Sequence, residues 1–267
     1  MLNKFRFLVK KGINILGYNI LNKNLHNNSD DPFFIFSKLL SSTKVKCIID
    51  GGASIGATSR QLSDSFSNAF IHAIEPYPNF YKCIEDIAAT NNKIIPHNFA
   101  LSNIDGQAKL KVNVSEGTNS LLKTTNNSKE IYGNLLENKS EINVQTKTID
   151  SFVKEQNIAS IDILKLDLQG FEEKALDGAV ESLKRKKIDI ILCELLFEDL
   201  YNNQAIPFKI IQNLTENFSF TLFNLYQKQY HHGKIIQADA LLIRCDILKD
   251  LDSMIVKNFH PYSKLMY

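Results

Sequence analysis

No stretch of this 267-residue chain approaches the roughly eighteen consecutive apolar residues of a membrane-spanning helix. The early run Phe5-Arg6-Phe7-Leu8-Val9 is cut off by Lys10 and Lys11 before the core of a secretory signal can form, so export by that route is not expected. Cysteine is scarce: Cys47, Cys83, Cys193 and Cys245 lie far apart without a Cys-x-x-Cys pair, and three sit in apolar, strand-like runs. They read as reduced core thiols, which argues for a cytoplasmic chain with neither a disulfide framework nor structural zinc. There is no His-Glu-x-x-His and no tight histidine and carboxylate cluster in the sequence. An excess of one charge is missing too: 31 Lys and Arg against 29 Asp and Glu leave a formal net charge of +2. Without a broad basic field, nucleic acid is not the expected partner.

What is present is an ordinary globular composition, 44% hydrophobic and 22% charged, enough for one large core. The most informative stretch is Val45-Lys46-Cys47-Ile48-Ile49-Asp50-Gly51-Gly52-Ala53-Ser54-Ile55-Gly56. An apolar run typical of a buried parallel strand meets an acid, then a glycine turn in which Gly52 and Gly56 let the backbone approach a ligand. The spacing discriminates between cofactors. A dinucleotide fingerprint needs Gly-x-Gly-x-x-Gly, but two positions after Gly52 stands Ser54, and two after Gly51 stands Ala53. NAD is therefore disfavoured.

A second signal follows where a doubly wound fold would place it. Phe70-Ile71-His72-Ala73-Ile74 reads as the next strand and ends in Glu75-Pro76. An acid at that tip accepts hydrogen bonds from a vicinal diol, making Glu75 the candidate ribose ligand; its competing role is to favour the start of the following helix through the dipole. The third signal is Leu164-Lys165-Leu166-Asp167-Leu168-Gln169-Gly170-Phe171-Glu172, a strand end, a polar turn and a helix start.

In this order, Asp-Gly-Gly-Ala-Ser-Ile-Gly (50–56), Ile-Glu-Pro-Tyr-Pro-Asn-Phe (74–80) and the 164–172 segment resemble the FkbM family of S-adenosylmethionine (SAM)-dependent O-methyltransferases, which are class I and Rossmann-like. Asn98-Phe99-Ala100-Leu101, Thr148-Ile149-Asp150-Ser151-Phe152, Leu176-Asp177-Gly178-Ala179 and Asp239-Ala240-Leu241-Leu242 extend the resemblance over about residues 45–245. Ser54 departs from the family's usual Asn, and Gly51 from a β-branched residue. The resemblance implies SAM as cofactor, held by Asp50, Gly51, Gly52, Ala53, Ser54, Gly56, Glu75, Pro76, Asn98 and Ala100. It also implies a sugar hydroxyl as acceptor, in a surface polysaccharide or a natural-product intermediate.

Alternating strands and helices predict an α/β fold: a doubly wound, mostly parallel seven-stranded sheet with helices on both faces and an antiparallel last strand. Asp31 followed by Pro32 predicts a capped helix over 33–40, and one helix is expected over 171–186. An insertion at about 101–160 should hold two antiparallel strands, 107–114 and 142–149, around a polar substrate loop, 115–140. Near the end, two strands should flank a turn at His231-His232-Gly233. The SAM-binding domain is expected over 30–250, followed by a tail at 251–267. Residues 1–29 carry Lys4, Arg6, Lys10, Lys11 and Lys23 and no acid among apolar residues. This basic amphipathic arm suits packing over the cofactor site, packing against a second subunit of a homo-oligomer, or peripheral contact with an anionic inner membrane face.

Moving a methyl group onto a hydroxyl requires positioning and a means of handling the proton. Asp167, just past a strand's carboxyl end, is the first candidate base. Lys165 shares its face by the period of two, its competing role being a buried ion pair. Glu194 at the end of the next strand and His232 in the hairpin turn complete the catalytic candidates. If a divalent cation takes part, Asp167 and Glu194 are its candidate ligands. Base methylation in nucleic acid is disfavoured because Asp167-Leu168-Gln169-Gly170 replaces the Asn/Asp-Pro-Pro-aromatic motif. A SAM-binding scaffold without turnover is the alternative from a different class.

Overall fold

The structure is a computed structural model describing residues 31–40 and 44–248; the arm at 1–29 and the tail at 251–267 lie outside the described residues. Helix α1 (Pro32–Leu39) begins as expected, with Asp31 accepting from Phe33 N at 2.9 Å and proline in the first turn. Then come β1 (Cys47–Gly51), α2 (Ala57–Ser65), β2 (Phe70–Ile74), α3 (Pro78–Ala88), β3 (Ile94–His97), β4 (Ala100–Leu101), β5 (Gly106–Asn113), α4 (Asn126–Tyr132), β6 (Asn138–Lys147), α5 (Ile149–Glu155), β7 (Ile161–Leu166), α6 (Glu172–Asp177), α7 (Val180–Lys184), β8 (Ile188–Leu196), α8 (Pro207–Phe218), β9 (Phe220–His231) and β10 (Lys234–Arg244).

The main sheet has seven strands in the order β3-β2-β1-β7-β8-β10-β9. Strands β1, β2, β3, β7 and β8 pair in parallel, and β10 runs antiparallel to both β8 and β9. Alternation assigns the two cores. Ile48, Ile71, Ile163 and Ile190 pack on the face covered by α1–α3, through Ile35, Leu62 and Ile84. Ile49, Leu164, Leu166 and Ile191 pack on the other face, against Phe152, Ala175, Leu183 and Leu214. A sheet buried on both sides explains why its strands read as near-continuous apolar runs.

Five features correct the sequence-based expectations. The stretch 171–186 is two short helices, because Gly178 packs so closely that an added Cβ would lie 2.2 Å from the Ser102 carbonyl oxygen. In the insertion, β6 starts earlier than expected and stops at Lys147; Thr148 then caps α5 by accepting from Ser151 N at 3.1 Å. Strand β4 joins β6 in parallel, so the insertion is a three-stranded sheet in the order β4-β6-β5. The 115–140 stretch is ordered by 3-10 turns at Glu116–Thr118 and Gly133–Leu136 and by α4, and it bridges to the loop after β8 through Thr125 N donating to Leu200 O at 2.9 Å. The β9–β10 hairpin is longer than expected, with its turn at His232-Gly233.

Candidate functional site

The carboxyl ends of β1, β2 and β7 open onto a cleft whose far wall is the insertion. Open α/β sheets bind ligands at this edge. Gly52 stands at its centre with φ +70°, and a Cβ there would lie 1.9 Å from the Asp167 carbonyl oxygen. Any side chain would drive the β1 and β7 turns apart, so the glycine is required by the approach of two backbones as well as by φ. Gly52 N and Ala53 N both donate to Ile74 O at 3.0 Å, tying the loop to the tip of β2.

At that tip the Glu75 carboxylate accepts from Ser54 N at 2.9 Å and from Tyr77 N at 2.8 Å. These two bonds fix its direction and leave further lone pairs for a ligand. Burial pushes its pKa up to about 7, against the pull of both backbone bonds and of Lys165. Pro76, Phe80, Phe99, Ala100 and Leu110 give the cleft an apolar end beside Glu75. Asn98 supports this end from outside, donating to Glu75 O at 2.9 Å.

Asp50 and Lys165 form a strut beneath the cleft. Asp50 is fully buried, accepts from Ser59 Oγ at 2.6 Å and lies 3.2 Å from Lys165 Nζ. The ammonium also donates to Gly52 O at 3.0 Å and lies 3.6 Å from Asp167 Oδ2. Burial opposes its charge, but Asp50 and Asp167 outweigh that and hold its pKa above the usual lysine value. Lys165 therefore braces the glycine loop as a cation. Asp167 lines the cleft with its side chain 40% exposed, available to an incoming molecule.

Glu194 is buried in β8 opposite Asp239 of β10, two residues before the strand ends. Its oxygens accept from Gln169 Nε2 at 3.0 Å and Gln237 Nε2 at 2.5 Å. Burial, then Asp167, push its pKa well above the carboxylate range. It supports the site from below and does not line the cleft. His232 is exposed in the hairpin turn and does not line it either. Among the described residues no group of three or more His, Cys, Asp or Glu is arranged to hold a metal ion. Asp167 and Glu194, the candidate cation ligands, face one shared amide.

The cleft thus gathers Gly52, Ser54, Glu75, Pro76, Ala100 and Asp167, with Asp50, Gly51, Ala53, Gly56, Asn98 and Lys165 around them. Sequence reasoning missed three contributors. Glu172 is buried, and its carboxylate accepts from Leu168 N at 2.7 Å and Gly170 N at 3.3 Å, closing the turn after Asp167. Glu116 reaches the cleft from the insertion and accepts from the Tyr77 hydroxyl at 2.8 Å. Gln169 sits between two acids. The contact of Glu172 with Leu168 is local, four residues back in the same turn; the other two depend on the folding of the insertion and of β8.

A sheet of this strand order with a glycine loop after β1, an acid at the tip of β2 and a cleft between them defines a doubly wound, Rossmann-like α/β fold with a binding site at the carboxyl edge of its parallel strands. The family described as the methyltransferase FkbM domain matches residues 50–232, and the chain belongs to that family. The 2-O-methyltransferase NoeI of Sinorhizobium fredii (strain NBRC 101917 / NGR234) is 29% identical over 101 residues, 38% of this chain and 37% of that protein. The match thus spans little more than a third of that relative. Among solved structures, the methyltransferase FkbM of Methylobacillus flagellatus KT superposes with a TM-score of 0.49 at 14% identity, covering 76% of this chain and 45% of that one. TrmK of M. capricolum, solved with S-adenosyl-homocysteine (SAH), gives 0.42 at 10% identity, covering 80% and 68%.

Proposed function

We propose that this methyltransferase transfers the methyl group of SAM to a hydroxyl of a glycan or natural-product intermediate, with Asp167 as the proton acceptor. The carrying observation is that one cleft is lined by Glu75, an apolar end, the Gly52 turn and the half-buried Asp167. Glu75, Ser54 and the Gly52 cradle suit the ribose and the chain joined to it, and Phe80, Phe99 and Leu110 suit a flat base. SAM supplies the electrophilic methyl group. Asp167 takes the acceptor's proton, and the Lys165 ammonium 3.6 Å away keeps that carboxylate in place without entering the cleft. The near-neutral charge supports a small molecule or glycan over nucleic acid, and the name of the NoeI relative supports transfer to oxygen. Site of action belongs to the same reading: cytoplasmic, with residues 1–29 as an arm for membrane contact, a second subunit or the cofactor site. Among the described residues no helix is long and apolar enough to cross a membrane.

The test is incubation with methyl-labelled SAM and a panel of nucleotide sugars and glycans, with and without a chelator. Label in an alkali-stable ether of one acceptor, unaffected by the chelator, is the expected result. Label in nucleic acid, or SAH binding with no turnover across the panel, would favour the alternatives. In Asp167→Asn, turnover should fall about a hundredfold or more while SAH affinity stays near wild type.

A further inference from the structure

The turn between β7 and α6 holds a residue in an unusual state. Gln169 adopts φ +54°, a left-handed conformation rarely taken by residues other than glycine, next to a glycine that also has positive φ. Four contacts hold it there. Its Nε2 lies 2.9 Å from Asp167 Oδ1 and 3.0 Å from Glu194 Oε2, so the two amide hydrogens are divided between two carboxylates. Its Oε1 lies 3.0 Å from the Tyr201 hydroxyl, and its backbone oxygen accepts from Ser120 Oγ of the insertion at 2.8 Å. Asp167 is left with Oδ2 toward Lys165 and Oδ1 on the amide, while its side chain stays 40% exposed and lines the cleft.

Asp167, one residue past β7, and Glu194 of the neighbouring parallel strand β8 approach the same atom, Gln169 Nε2, so the donor between them sets their separation. A neutral double donor suits that position: it satisfies both acids and adds no charge. We infer that Gln169 is a positioning residue for Asp167, a strained amide clamp that holds the acceptor-side carboxylate in one orientation and keeps Glu194 from displacing it. This deepens the reading of Asp167 as proton acceptor and rests on it, but the clamp can be measured without an acceptor.

The experiment uses the full chain carrying 13C at the side-chain carboxyls of Asp and Glu. The Asp167 signal is identified by its loss in Asp167→Asn, and that of Glu194 by its loss in Glu194→Gln. In Gln169→Glu, which keeps length and shape but exchanges the donor for a third acid, both signals should move from their wild-type positions. In Gln169→Leu, which removes the polar group, both should move and the Asp167 signal should broaden as its orientation is freed. Calorimetric SAH affinity of Gln169→Leu should stay within about threefold of wild type, because the amide faces the two acids rather than Glu75. With any acceptor that turns over in the panel, kcat should fall about a hundredfold with little change in KM for SAM, the scale expected for a misplaced reacting group. Unmoved Asp167 and Glu194 signals in both folded variants would overturn the clamp. Failure of wild type to bind SAH, or of the whole panel to turn over, would count against the proposed function, whereas the carboxyl signals by themselves decide the role of Gln169.

Discussion

At Glu75 two backbone N–H groups already occupy one lone pair on each carboxylate oxygen, so the side chain cannot swing away when the cleft is empty. Its pKa, raised to about 7 by burial, makes binding depend on pH in a defined direction. Ribose hydroxyls donate best to the charged form, so ligand binding draws the proton off. SAH affinity should rise as pH increases through about 7 and level off above it, by about threefold to tenfold between about pH 6 and about pH 8. Calorimetry at several pH values measures this, and Glu75→Gln should flatten the dependence. Glu75→Ala should cost about 2–4 kcal/mol of binding free energy at alkaline pH. A wild-type affinity indifferent to pH, together with an unchanged Glu75→Ala, would remove Glu75 from the cofactor site. The position of this acid is legible in sequence because a strand followed by Glu-Pro is a local pattern. Its pKa is not, because that follows first from burial beneath elements distant in sequence, which outweighs the lowering pull of Tyr77 N, Ser54 N and Lys165.

Among the elements, the pair α6 and α7 shows where sequence reading stops. Ala175, Leu176, Ala179 and Leu183 do face one core, which is why a helical period runs unbroken through 171–186. The break at Gly178 is set by Ser102, far away in sequence, whose carbonyl oxygen occupies the space a Cβ would need. The Thr148–Phe152 motif completes the joint: Asp150 N donates to Gly178 O at 2.9 Å, and the Asp150 carboxylate accepts from Glu181 N and Ser182 N, both at 2.8 Å. Asp150 thus caps α7 from α5, which gives this family-like motif a structural cause. Asp150→Ala should lower stability by about 1–2 kcal/mol, as for a lost helix cap, and Gly178→Ala by about 1–3 kcal/mol through overpacking. Chemical denaturation checks both values. SAH affinity of the folded variants should match wild type, since neither residue lines the cleft; a large affinity loss in folded Asp150→Ala would show that this joint also shapes the site.

Across the whole molecule, building a binding edge from buried acids has a thermodynamic consequence. Glu75, Glu172 and Asp239 each have a pKa raised to about 7 by burial, and Glu194 lies well above its ordinary value for the same reason. A carboxyl whose folded pKa exceeds its unfolded value contributes stability that is fully present below the unfolded pKa and is lost as pH rises through the folded one. These four therefore weaken the fold between about pH 4.5 and pH 7 and beyond. Opposing them, His72 and His97 lie 3.0 Å apart between nitrogens, and burial lowers both pKa values, that of His97 to about 4. Their contribution is present above the unfolded value of 6.5 and is lost as pH falls through the folded one. The two sets partly cancel below pH 6.5; above it the histidines have nothing further to give and the acids continue to lose. The melting temperature of the ligand-free protein should therefore peak in mildly acidic buffer and fall by about 4 °C or more between about pH 6.5 and about pH 8.5, where 1 kcal/mol corresponds to about 2–4 °C at this size. Asp239→Asn, which cannot ionise, should make that fall shallower. A melting temperature that holds or climbs over this interval would mean that these carboxyls ionise at ordinary values, and that the edge of the sheet is wetter than its packing implies.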